Sequence, residues 1–176
     1  MKIKRIVALL LLIITAMTCI VSCAEEPKDV TYREHGLEFT LPKSMRRSAS
    51  DVYEFYLSSP DAVFMAKKLN AEFMESMAMP ASTTAGEYAD AYIDANYLDK
   101  TRISYSYDAE RGAYSMRYNS SEAESTDGLL HSIVILGQPG AVWFVEICCD
   151  NDKSEIYEHT FSTWESTIRP YAEEKN

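Results

Sequence analysis

The sequence predicts an α+β domain in which an antiparallel β-sheet is covered by helices. Three observations carry this reading. Short runs with apolar residues at every second position come in pairs, separated by turn residues, as in β-hairpins. Two later segments place apolar residues three and four apart, as in amphipathic helices. Two further runs, 129–136 and 141–149, are almost wholly apolar, which fits central strands covered on both faces.

The first pair, 31–34 and 37–41, flanks His35-Gly36, with Leu37, Phe39 and Leu41 alternating and Pro42 as the stop. A polar stretch, 43–50, follows. Runs 52–57 and 62–69 flank Ser58-Ser59-Pro60-Asp61, a Pro-Asp turn, and form a second hairpin. Residues 71–79 make a short helix or irregular segment closed by Pro80. Thr84 lies three residues before Glu87, a capping box for a helix over 84–98. Its predicted buried stripe is Ala85, Tyr88, Tyr92 and Ala95. Runs 103–107 and 113–118 form a third hairpin. Alternation places Tyr105, Tyr107, Tyr114, Met116 and Tyr118 on one face, and Ser104, Ser106, Ser115 and Arg117 on the other. A polar loop, 119–127, leads into the two apolar runs, joined by Gly137-Gln138-Pro139-Gly140. A helix over 153–168, capped by Asn151 or Asp152, buries Tyr157, Phe161, Trp164 and Ile168. Pro170 ends it.

The chain has 176 residues, 47% of them hydrophobic, and a formal charge of −10. The composition is globular, the length fits one domain, and the acidity argues against nucleic acid as a partner. Lys2, Lys4 and Arg5 precede an apolar run from Ile6 to Val21, the pattern of a secretory signal. The run has 16 residues, short of the ~20 that a membrane span needs. Ile20-Val21-Ser22-Cys23 resembles a bacterial lipobox, whereas Cys19, after Ala16-Met17-Thr18, fits one poorly. The resemblance implies cleavage before Cys23 and a diacylglyceryl group on its sulfur, with fatty acyl (palmitate-type) chains as the anchor. Residues 1–22 are then the signal, 23–28 a short tether, and 29–172 a single domain. Loss of three basic and no acidic residues takes the charge to −13. The expected location is the extracytoplasmic face of the cell membrane, lipid-anchored.

Gly36-Leu37-Glu38-Phe39-Thr40-Leu41-Pro42, and Trp143 to Cys148 followed by a helix anchored at Phe161 and Ile168, resemble the PsbP-like fold. That fold is shared by the photosystem II protein PsbP, a nuclear Ran-binding import factor and many bacterial lipoproteins. The resemblance implies an α/β/α sandwich over nearly the whole mature chain. It implies neither photosynthesis nor Ran binding, because fold does not carry function.

Catalytic signatures are absent: no Gly-x-Ser-x-Gly, His-Glu-x-x-His or phosphate-binding loop occurs, and His35, His131 and His159 have no partner at ligand spacing. The chain is expected not to be an enzyme and to need no cofactor. Weak metal candidates are Met74, Met77 and Met79, whose thioethers suit Cu(I), and the adjacent Cys148 and Cys149. Each has a plainer role as core filler, the two cysteines pointing to opposite faces of a strand. Residues 150–155 resemble a calcium loop, but Glu155 stands where glycine is required, so helix capping explains them better. Twelve tyrosines are the unusual count. Tyr105, Tyr107, Tyr114 and Tyr118 are the candidate binding surface, since tyrosine joins an apolar body to a polar tip. The expected role is a non-catalytic binding or assembly module whose partner is an envelope or extracellular protein. The alternative is a small-molecule or metal (copper, zinc or calcium) carrier.

Overall fold

The computed structural model describes residues 29–120 and 127–172. The expected signal (1–22), the expected lipidation site Cys23 with its expected tether (23–28), and residues 121–126 of the polar loop lie outside the described residues. Those described form ten strands and three α-helices: β1 (Asp29–Glu34), β2 (Leu37–Pro42), β3 (Arg46–Arg47), β4 (Phe55–Ser58), β5 (Ala62–Asn70), α1 (Ala71–Ser76), α2 (Ala85–Ala95), β6 (Ser104–Asp108), β7 (Ala113–Asn119), β8 (Leu129–Gln138), β9 (Ala141–Asp150), α3 (Ser154–Thr167) and β10 (Arg169–Pro170). The expected antiparallel sheet covered by helices is present. Its seven strands run in the order β3-β4-β5-β9-β8-β7-β6, so the two apolar runs are indeed central.

One feature differs from the sequence reading. The first hairpin does not join the main sheet; β1, β2 and β10 form a separate three-stranded sheet. Leu37, Phe39 and Leu41 are buried against Phe55, Phe64 and Trp143 of the main sheet. Phe39 stacks on Phe64 at 4.4 Å and meets Phe55 edge-on at 4.9 Å. One face of the main sheet is therefore covered by α3 and the small sheet, and the other by α1 and α2. The two-residue turn of this hairpin has His35 at φ 56° and Gly36 at φ 88°, both left-handed. Gly36 takes the larger φ without strain, and a Cβ there would also press on the end of the Gln138 side chain, 2.7 Å away.

Smaller differences have local causes. β4 starts at Phe55 rather than Val52, because the Ser50 hydroxyl accepts from the Val52 and Tyr53 amides and holds them in a turn. α1 is a true helix, with the Asn70 side chain accepting from the Phe73 amide. The capping box of Thr84 and Glu87 forms as expected. The stripe of α2 is rotated, with Ala85, Ala89 and Ile93 buried, Tyr88 and Tyr92 at its margin and Ala95 exposed. α3 buries Phe161 and Trp164 but has no side-chain cap: residues 151–153 form a 3₁₀ turn, and the Asn151 amide group donates to the Ser120 hydroxyl.

Candidate binding surface

The β6–β7 hairpin carries the predicted tyrosines. Its register sets Tyr107 opposite Tyr114 and Tyr105 opposite Met116, so alternation places all four on the face shared with α2. Tyr107 and Tyr114 have ring centroids 4.6 Å apart, and Tyr105 and Tyr114 6.3 Å. Tyr114 packs beneath the start of α2, where a Cβ on Gly86 would lie 2.7 Å from its hydroxyl. Lys100, paired with Asp90 at 2.6 Å, sets its ammonium 5.0 Å over the Tyr105 ring. Tyr107 is 54% exposed, at the last strand of the main sheet. These three tyrosines form one row at an open sheet edge.

Tyr118 is not part of that row. It is buried, its hydroxyl 2.7 Å from that of Tyr92, and its ring stacks on His131 at 4.9 Å. His131 is bridged by two carboxylates: Nδ1 is 2.8 Å from Glu146 and Nε2 is 3.2 Å from Asp127. Burial alone would lower the His131 pKa, but the hydrogen bonds and charges of Glu146 and Asp127 outweigh it, and the net shift is upward. Burial raises the Tyr118 phenol to about 12 and pushes Tyr92 well above its usual range. Tyr53, in the turn before β4, is also raised, by burial and then by the charge of Glu146.

Cys148 lies beside His131 in the strand register, on this same face, while Cys149 enters the opposite core. Both are free and buried, not a vicinal disulfide. Burial, then the Glu146 charge, raises Cys148 to about 12; burial and Asp150 raise Cys149 to about 11. Both are thiols at neutral pH. The methionines separate: Met74 is buried in the α2-side core, Met79 packs at its margin, and Met77 is 38% exposed. Among the described residues no group of three or more His, Cys, Asp or Glu side chains converges on a metal position. His35 sits at the small-sheet turn beside the Phe55 ring, and His159 is exposed on α3, so the histidines do not meet.

The opposite face of β6–β7 is polar. Arg117 reaches α3, with Nη2 2.5 Å from Glu165 and 3.1 Å from the Ser162 hydroxyl, and Nη1 donating to the Glu158 carbonyl. The Ser132 hydroxyl donates to the same Glu165 carboxylate. A polar cavity of about 200 Å³ lies beside this clamp, lined by Ser104, Ser106 and Ser115. A larger cleft of about 440 Å³ opens between the α1–α2 connection and the β8–β9 turn, over Leu69, Met74, Ala85 and Val142. Sequence reasoning missed the Glu146 and Glu165 partnerships. Glu146 is fifteen residues from His131 and becomes its diagonal neighbour only through the β8–β9 register.

No helix among the described residues is long and apolar enough to cross a membrane. No family model matches the chain. No curated protein matches it. Among solved structures it is similar to cyanobacterial PsbP from Synechocystis sp. PCC 6803, at 13% identity and a TM-score of 0.54, covering 85% of this chain and 98% of that one. It is also similar to PA94 of Pseudomonas aeruginosa, a protein of unknown function (13% identity, TM-score 0.45, 82% and 99% covered), and to LpqN of Mycobacterium tuberculosis, titled as involved in cell envelope biogenesis (11%, 0.40, 81% and 91%). The class the architecture defines is an α+β sandwich. Within that class, the domain has the PsbP-like fold.

Proposed function

We propose that this chain is a non-catalytic, protein-binding module tethered by lipid on Cys23 to the extracytoplasmic face of the cell membrane. The observation that carries the binding reading is the row Tyr105–Tyr114–Tyr107 at the open edge of the main sheet, with Tyr107 exposed and Tyr114 fixed beneath α2. Tyrosines held in one geometry lose little side-chain entropy on binding and offer both apolar area and a hydrogen-bonding tip. The lipobox-like Ile20-Val21-Ser22-Cys23 supports the location. The test is capture from solubilised membranes by the full chain, comparing wild type with Tyr107→Ala. Recovery of a defined protein that is lost with the variant supports the reading. An identical captured set from both overturns it.

A second reading, a small-molecule carrier, draws on the 440 Å³ cleft with its apolar floor of Leu69, Met74 and Val142. Native mass spectrometry of the full chain in detergent checks it: a bound small molecule lost on Ala85→Leu, which fills the cleft, is the expected outcome.

A further inference from the structure

The edges of the two sheets are not alike. The main sheet ends on one side in β3, two residues long and both arginine. The small sheet ends in β10, two residues including Pro170, and in β1, which carries Asp29, Arg33 and Glu34. Short, charged or proline-bearing edges prevent strands of other chains from adding on. The fourth edge, β6 (Ser104–Asp108), is five residues long, free of proline and charged only at its last residue, Asp108, and among the described residues no strand pairs with its outer side. Ser104-Tyr105-Ser106-Tyr107 is uncharged and free of proline, and Ser104, Ser106 and Tyr107 are exposed.

The same strand is self-complementary. Two copies of β6 meeting antiparallel about an axis at Ser106 set Tyr105 against Tyr107 of the second copy, twice, on one face. On the other face Ser104 meets Asp108 of the second copy, twice, and Ser106 meets itself. Residues directly opposite in an antiparallel pair point to the same side, so only pairings centred on a residue keep the tyrosine faces aligned. Of these, the register centred on Ser106 pairs all five residues. No like charges are opposed, since Asp108 faces a hydroxyl that can donate to it.

We propose that the β6 edge pairs with β6 of a second copy of this chain, joining two seven-stranded sheets into one continuous sheet. The proposal rests on reading this hairpin as a protein-binding surface and names its partner. A two-fold, isologous contact of this kind closes on itself and gives dimers rather than fibres. Pairing along five residues buries far less than the roughly 1,200 Å² of a standard stable interface, so the dimer is weak and reversible. Two chains confined to one surface meet at high effective concentration, which offsets that weakness.

The register supplies its own test. Opposed Cα atoms lie ~4.5–5.5 Å apart, inside the range a disulfide spans, so Ser106→Cys on the axis can bond to its own copy. Ser104→Cys cannot, since the two copies of residue 104 are four residues apart along the strand, ~14 Å at ~3.4 Å per residue. Intact cells producing the full chain are treated with a mild oxidant, and products are separated without reductant against wild type, which reports any background from native cysteines. The expected result is a homodimer from Ser106→Cys at least tenfold above Ser104→Cys and wild type. Ser106 is exposed, so Ser106→Lys leaves the fold intact but sets two ammoniums face to face. It should abolish self-association of the detergent-solubilised full chain in sedimentation. Equal linking from both cysteine variants, no linking, or a dimer that survives Ser106→Lys overturns the proposal. A Ser106→Cys adduct with a different protein also overturns the self-pairing, yet leaves the protein-binding reading standing.

Discussion

The imidazole of His131 shares its two nitrogens between carboxylates of different elements, Glu146 on β9 and Asp127 before β8. Its folded pKa is raised above the ordinary 6.5, so the folded state binds the proton more tightly than the unfolded chain does. The stability this contributes is fully present below pH 6.5 and is lost as pH rises through the raised folded value. Urea unfolding of wild type and His131→Gln across pH 5 to 9 should therefore show a gap that narrows with rising pH; a gap that is constant or widens contradicts the assignment. Cys148 gives a second expectation at this scale. Its thiol is protonated and buried, so Cys148→Ser, which leaves a hydroxyl to be satisfied, should destabilise by about 1–2 kcal/mol, and Cys148→Ala by less. Alternation alone made the opposite facing of Cys148 and Cys149 legible. It could not show that His131 and Glu146 meet, because that depends on strand register fixed by the β8–β9 turn.

Phe161 is wholly buried between α3 and the small sheet, and Phe161→Ala should lower stability by about 3–5 kcal/mol, read by thermal or urea unfolding. The Arg117–Glu165 pair holds the same helix to β7. Both side chains are largely buried, 16% and 13% exposed, so removing one strands the other. Glu165→Ala should cost about 3 kcal/mol, whereas the double change Arg117→Met with Glu165→Leu should be distinctly milder in the same unfolding measurement. Periodicity revealed α3 and its stripe because burial enforces a 3.6-residue repeat. It misplaced the cap, because Asn151 spends its side chain on Ser120, a tertiary contact with no local signature. The first hairpin was legible for the same reason of periodicity, while its sheet was not. Which strands β2 joins is settled by β10, only two residues long and at the far end of the chain.

The arrangement of layers followed from counting strands and helices, since each must bury an apolar face against another. The proposed membrane tether rests on Cys23. Cys23→Ser should abolish incorporation of labelled palmitate and move the chain from the membrane pellet to the soluble fraction; persistence of both in the variant contradicts the tether. The closing strand has a further consequence, one of order. Arg169 pairs with Glu38 across 131 residues, and the sheet that seals one face of the core needs both. The first hairpin therefore precedes its last partner by nearly the whole length of the domain, and the small sheet is complete only once residues 169–170 are in place. A chain cut before residue 169 keeps Leu37, Phe39 and Leu41 without the strand that completes their sheet, so the domain closes last at the end of its sequence.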